Sequence, residues 1–440
     1  MSAQEEYLLS AISLLIERHQ WGPRFFNDTT ATVGATGDDG EFFPALDLVN
    51  SLRATRRLPY GGSVEAAWVW NAAEQLRDQA TTEYQSSSSI VLSGNVPLLR
   101  GAGLVAQESL IQAERNLVYQ ARTFERFRRT YLVDVANDYF SLLQAKQAIA
   151  NQERQMRSLA QFVAGTTARV EAGRLDSFQT SIAANQMSSA TSSLASLRER
   201  YLLALDRFKV RLGIPLDEVI DVTEQDLNVP EPDVEEADAA QTALRLRLDL
   251  QNSHDQLEDT RRAVANAGDD LLPDLNVTGS VSIPTDPDNE NAGLALSGDD
   301  LSYRLGATLS LPLDRRIEKL SLRSARIALE RATRDYARER DDAIVSARSA
   351  ARNIELARFQ LQIAEAQVLS NRERRRALEI KKDELEPQQI VDAENDLLSA
   401  ENGRDQSRTN LRNAVLNYLL QTDQLRVNRD GTLRLLPGME

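Results

Sequence analysis

The sequence predicts an α+β fold in which one unit, strand, strand, long helix and returning helix, is used twice. Three observations carry this expectation. Apolar residues stand seven apart at Val135, Leu142, Ile149, Met156, Val163 and Val170, and again at Ala347, Ile354, Leu361 and Val368. In the second ladder an alanine precedes each rung by four residues (Ala343, Ala350, Ala357, Ala364), the alternating three-and-four spacing of a coiled-coil seam whose small residues let helices approach closely. Helix breakers are missing over long stretches: no proline lies between Pro97 and Pro215, and neither proline nor glycine lies between Pro312 and Pro387. Finally, segments of alternating polarity stand ahead of each long helix.

In the first half, residues 1–230, a helical pattern of about 20 residues ends before Pro23. Ala31, Val33 and Ala35 then alternate with Thr30, Thr32 and Thr36, and Ile90, Leu92 and Val96 with Val91, Ser93 and Asn95. These read as two strands. Gly62–Trp70 is a further strand-like stretch. The long helix is expected over 104–172, about 100 Å at about 1.5 Å per residue. Gly173 is placed to be its C′ residue, Asp176 or Ser177 to cap a returning helix over 177–212.

In the second half, residues 231–440, a helix is expected over 236–268. Strands follow at 275–283, where Leu275, Val277, Val281 and Ile283 alternate with polar residues, and at 303–311, where Tyr303, Leu305, Ala307, Leu309 and Leu311 do so. A long helix over 317–382 and a returning helix over 388–421 complete the unit, with Pro387 suited to the first turn of the latter. The halves align at their joints. Val96-Pro97-Leu98-Leu99-Arg100 falls on Leu311-Pro312-Leu313-Asp314-Arg315, and Leu175, Asp176, Ala183, Asn185 and Phe208 fall on Leu385, Glu386, Ala393, Asn395 and Tyr418.

Composition narrows the function. With 51 basic and 66 acidic residues the net charge is −15, which disfavours a nucleic-acid partner. The 42% hydrophobic content and mean hydropathy of −0.41 leave no run approaching the 18 or so apolar residues of a transmembrane helix, whereas a barrel strand needs only about 9–11 alternating residues. There is no cysteine, hence no disulfide or thiolate chemistry. Met1–Gln20 has neither a basic n-region nor an apolar h-region, so a signal peptide is expected to be absent from this chain and the native N-terminus to lie elsewhere.

Nothing in the chain reads as catalytic, as a metal site or as a cofactor site. The two histidines, His19 and His254, lie far apart in helical patterns without metal-ligand spacing. Gly101-Ala102-Gly103 is too short for a dinucleotide fingerprint and suits a strand-to-helix turn. Asp286, Asp288, Asn289 and Glu290 lack the glycine and terminal glutamate of an EF-hand and read as a solvated loop.

Taken together, the segment VPLLRGAG from Val96 to Gly103, the helix-tip segment EAGRLDSFQTSIAANQ from Glu171 to Gln186, the segment LLPDLNV from Leu271 to Val277, and the duplicated plan resemble the TolC-like outer-membrane efflux proteins over essentially the whole chain. The resemblance implies a homotrimer in which each chain gives four strands to a shared twelve-stranded barrel in outer-membrane lipid and four helical elements to a long periplasmic α-helical barrel. It also implies a passive exit duct of a tripartite efflux or type I secretion system, working with a periplasmic adaptor protein and an inner-membrane pump. By resemblance, Gly173, Arg174 and Leu175 are candidates for adaptor docking. Asp176, Asp383, Glu384 and Glu386 are candidates for a periplasmic gate, since threefold symmetry turns each tip carboxylate into a ring that attracts cations.

Each feature also has a plainer reading. Asp176 and Ser177 serve as helix caps whether or not anything is transported. Trp68 and Trp70 share one strand face and suit either an interfacial aromatic girdle or a buried contact. The run Arg372–Arg376 reads as a solvated helix face paired with neighbouring glutamates, or as a partner contact near the tip. The rival to the duct as a whole is a soluble or surface coiled-coil scaffold with small β segments.

Overall fold

The computed structural model describes residues 2–38, 41–75, 84–223, 235–285, 296–380, 387–428 and 433–434. The chain divides into two compact units, Met1–Phe124 with Asn252–Tyr336, and Glu125–Gln251 with Ala337–Glu440. After helix α1 (Ser2–Trp21) come strands β1 (Arg24–Asp38), β2 (Glu41–Arg57), β3 (Ser63–Gln75) and β4 (Tyr84–Pro97), then α2 (Glu108–Glu171) and α3 (Phe178–Leu212). The remainder is α4 (Glu236–Leu246), α5 (Leu248–Asp269), β5 (Asp274–Pro284), β6 (Ser302–Ser310), α6 (Arg316–Ile380), α7 (Pro387–Gln421) and a two-residue pair, β7 (Arg426–Val427) with β8 (Leu433–Arg434). Among the described residues no helix is long and apolar enough to cross a membrane.

The first unit is built on one antiparallel sheet of six strands in sequence order, β1 to β6. The first half therefore carries four strands where two were expected, and the stretch Gly62–Trp70 falls into β3 from Ser63 onward. The strand that alternation missed is β2, whose run Glu41-Phe42-Phe43-Pro44 breaks the pattern with a proline. Pro44 stands opposite Ala35 in the ladder to β1.

The registers sort the side chains cleanly. Leu275, Val277, Val281 and Ile283 share a face with Leu309, Ala307 and Tyr303 on one side and with Val96, Leu92 and Ile90 on the other, and the same face continues through Trp68, Trp70, Leu52, Leu48, Phe25 and Val33. It is apolar and open: Tyr303 is 82% and Leu305 79% exposed. The other face is polar and carries Asp28, Arg53, Glu65, Ser93, Ser280 and Arg304. An ion pair joins Arg53 to Asp28 there. On the apolar face Asn50 donates to Asn27 at 3.0 Å and to Thr29 at 2.7 Å, so the polar groups in this belt satisfy one another.

Turns at the sheet depend on glycine at two places. Gly62 has φ +82°, and a Cβ there would lie 1.8 Å from the Asn95 carbonyl oxygen. Gly101 and Gly103 have φ +75° and +73°, and their N–H groups bond the Asp269 carboxylate at 2.6 Å and the Tyr60 carbonyl at 2.7 Å. Helices α2 and α5 meet in this unit through charged ladders rather than an apolar seam. Arg122 contacts Asp255 at 2.5 Å, and Tyr119 donates to Asp259 at 2.5 Å. Burial, with the Asp259 carboxylate beside it, pushes the Tyr119 phenol up to about 12. His254 lies edge-on to Tyr336, rings 5.6 Å apart. It acts as an aromatic packing partner.

The second unit has the apolar core. Val133, Ala136 and Phe140 of α2, Ala239 and Ala243 of α4, Ala347, Ala350, Ala351, Ile354 and Ala357 of α6, and Leu411, Val415, Leu416 and Leu419 of α7 form its main cluster. The α6 ladder thus faces the core, with Leu361 partly buried at its margin. The α2 ladder is less regular: of its rungs Leu142 is buried, while Val135 and Met156 flank the two smaller clusters.

One helix was expected over 236–268, and the structure breaks it at Arg247, where ψ is 117°. The cause lies far away in sequence. Asp423 takes the Leu248 N–H at 2.8 Å and is ion-paired to Arg129 at 3.0 Å, both side chains being almost wholly buried. Asp423 is itself held at φ +55°, with Asp423 N–H on Leu420 O and Gln424 N–H on Leu419 O. This is the Schellman end that Gly213 makes after α3, where Gly213 N–H bonds Val210 O and Ile214 N–H bonds Lys209 O.

Beside the break, burial works against ionisation of Asp249, yet the hydrogen bond from Arg247 and the charge of Arg126 hold its carboxyl below the ordinary 3.8. A depressed folded-state pKa supplies stability that is complete above 3.8 and lost as pH falls through the lower folded value. Thermal melts between pH 6 and pH 3 should therefore fall more steeply for the native chain than for Asp249→Asn; parallel slopes would show that this pair contributes nothing.

Candidate functional site

The tip between α2 and α3 is shaped by backbone geometry. At the end of α2, Gly173 has φ +70°, its N–H bonds Val170 O at 2.9 Å, and Arg174 N–H bonds Arg169 O at 2.9 Å. Gly173 is thus a Schellman C′ residue. Leu175 is half-buried, whereas Gly173, Arg174 and Asp176 are exposed. Ser177 makes no side-chain capping bond; the carbonyls of Asp176 and Ser177 instead accept from Gln179 at 3.1 Å and Thr180 at 3.3 Å. Capping therefore leaves the Ser177 hydroxyl unused. The other gate candidates, Asp383, Glu384 and Glu386, lie outside the described residues, as do Asp286, Asp288, Asn289 and Glu290.

A polar seam runs through the same unit, and only part of it was visible in the sequence. Arg372, Arg374 and Arg375 of the basic run reach across to α7: Arg372 to Glu401, Arg374 to Asp396 and Arg375 to Glu394, each at 2.7 Å. The expected pairing with acidic residues is made between helices rather than along one. Arg154 of α2 also reaches Glu401, at 2.9 Å, and Ser158 donates to Glu394 at 2.7 Å. Glu394 and Glu401 are buried, each with two donors.

Beside them Asn151, Gln152 and Gln155 are buried amides. Asn151 donates to Asn402 at 2.9 Å and to Asp405 at 3.1 Å, and Gln155 and Gln186 both donate to Asn395, at 2.7 and 3.2 Å. Sequence reading missed these amides because they sit between the rungs of the α2 ladder. Their signal was the replacement of apolar residues by Asn and Gln at core spacing. Hydrogen-bonded helices of this kind can part by exchanging partners with water, which costs less than exposing an apolar seam.

Against this geometry the comparisons with known proteins are informative. Residues 239–382 match the family model described as outer membrane efflux protein. The Campylobacter jejuni CmeC outer membrane channel superposes with a TM-score of 0.71 at 14% identity, over 96% of this chain and 81% of that one. This chain's fold is that of an outer membrane channel. VceC, an outer membrane protein of Vibrio cholerae, aligns with a TM-score of 0.69 at 13% identity over 96% of this chain and 92% of its own. The MtrE outer membrane channel of Neisseria gonorrhoeae, in its open state, gives 0.68 at 15% identity, over 96% and 86%. No curated relative matches the sequence. The fold is thus shared with outer membrane channels, and the family model matched over residues 239–382 describes outer membrane efflux proteins.

Proposed function

We propose that three copies of this chain form a passive exit duct across an outer membrane, the β-sheet in lipid and the helices in the periplasm. The observation that carries this reading is the two-faced sheet: one face is apolar and open across all six strands, the other polar, as lipid and a water-filled lumen demand. A coiled-coil scaffold has no use for such an apolar face. The halves 1–230 and 231–440 are read as two copies of one repeat, supported by the matching Schellman ends at Gly213 and Asp423. Energy comes from an inner-membrane pump through a periplasmic adaptor, in a tripartite efflux or type I secretion system. Gly173, Arg174 and Leu175 are the proposed adaptor contacts. The detergent-solubilised protein should have a trimeric mass and heat-modifiable migration; a stable monomer in detergent-free buffer with full secondary structure overturns the duct.

Asp176, Asp383, Glu384 and Glu386 are proposed to ring the periplasmic mouth. Their like charges favour cations at a constriction. The quadruple variant with Asn and Gln at these positions should lose cation preference in planar-bilayer recordings while remaining trimeric. Unchanged selectivity in an intact trimer removes the gate and leaves the duct standing.

A further inference from the structure

The two ends of the sheet are open. Among the described residues strand β1 has a partner on one side only, and so has β6. In hydrocarbon an unpaired row of N–H and C=O groups is untenable, and even in water such edges are normally blunted by lysine, proline or bulges. Such devices are sparse here: β1 has charged residues at Arg24, Asp28 and Asp38 but none over Thr29–Gly37, and β6 has one, Arg304. Both edges await a strand.

The hairpin β1–β2 is no loose appendage. It is paired to β3 over Ala45–Arg57, and it continues both the apolar and the polar face of the other four strands without a change of phase. With six strands in alternating direction, β6 of one copy meets β1 of the next antiparallel, so that polar face continues into polar face and apolar into apolar.

Resting on the trimeric duct proposed above, we infer that β6 of each copy pairs with β1 of its neighbour, closing a barrel of six strands from each of three copies, eighteen in all. The occupant of each open edge is a second copy of this chain. At a strand spacing of about 4.8 Å and a tilt of about 40°, the backbone radius is about 18 Å, against about 12 Å for a twelve-stranded barrel. Barrels of this strand number leave an aqueous channel. The chain thereby builds a wider outer-membrane pore than two strands per half would give.

The chain has no cysteine, so introduced pairs report without background. Thr30→Cys or Thr32→Cys in β1 is combined with Thr308→Cys or Ser310→Cys in β6, and Val69→Cys in β3 with Thr308→Cys serves as the twelve-strand control. All these positions lie on the polar face. Variants that run as trimers by native mass are treated with a short bis-maleimide. Covalent trimers are expected from at least one β1/β6 pair and none from β3/β6. Trimers in which every β1/β6 pair stays unlinked overturn the eighteen-strand closure while sparing the trimeric duct; a monomeric native chain overturns both. A cryo-electron microscopy strand count on the unmodified trimer decides the same question should the variants fail to assemble, eighteen supporting the closure and any other number overturning it.

Discussion

Ile354→Asp is expected to abolish the helical unit. Ile354 is 2% exposed and lies between Ala350 and Ala357 in the seam where α6 meets α2, α4 and α7. The small neighbours hold the helices close, so a carboxylate there finds neither water nor a donor. Loss of the side chain's packing costs about 2–5 kcal/mol and the stranded charge adds to it, together a large share of a domain's net stability of about 5–15 kcal/mol. Circular dichroism melts should show loss of the cooperative transition or a steep fall in Tm. Leu361→Asp, one rung further along and only partly buried, should cost less. Equal melting of Ile354→Asp and the native chain would mean that this ladder does not face a core.

Asp423→Asn should be the second severe change, although it alters one atom. Asn accepts a left-handed backbone, but Asp423 accepts from Arg129 with one oxygen and from the Leu248 N–H with the other, so an amide that keeps the Leu248 bond turns its NH2 toward Arg129. What remains is Arg129, 4% exposed, keeping Glu125 at 3.1 Å but losing its fully buried carboxylate partner. Breaking a buried pair from one side costs about 3–5 kcal/mol. Asp423→Gly supplies a complementary arm. Glycine relieves the φ of +55° by on the order of 1 kcal/mol, yet it also removes the acceptor at the start of α5. Asp423→Gly should therefore be at least as destabilised as Asp423→Asn in urea titrations, whereas a stabilised Asp423→Gly would show that backbone strain outweighs the ion pair.

Both residues show how far the sequence could be read. The Ile354 position was legible because a core seam is written in local periodicity: alanine and a large apolar residue recur in fixed phase, and burial follows that phase. The role of Asp423 was not legible, since its partners Arg129 and Leu248 are separated from it by well over a hundred residues and nothing in their spacing announces a contact. The same holds for the basic run Arg372–Arg376. Its charge asked for acidic partners, but that they would be Glu401, Asp396 and Glu394 on α7 depended on how two helices pack. At the tip, the turn at Gly173 was legible from a glycine placed at a helix end. Ser177 as a side-chain cap was not realised, because backbone carbonyls took the first free N–H groups.

The sequence by itself determined the long helices, the alternating strands β1, β4, β5 and β6, the joints between them and the resemblance to the outer-membrane efflux proteins, because each is a local pattern of period two, of period near 3.5, or of a breaker. Only the tertiary structure decided that β2 is a strand despite Pro44, that six strands share one sheet, that the helix over 236–268 breaks at Arg247, and that the buried amides of α2 find partners on α7 and α3. These outcomes rest on pairings between residues distant in the chain, where a backbone group or a charge is satisfied by a neighbour that no local period reveals.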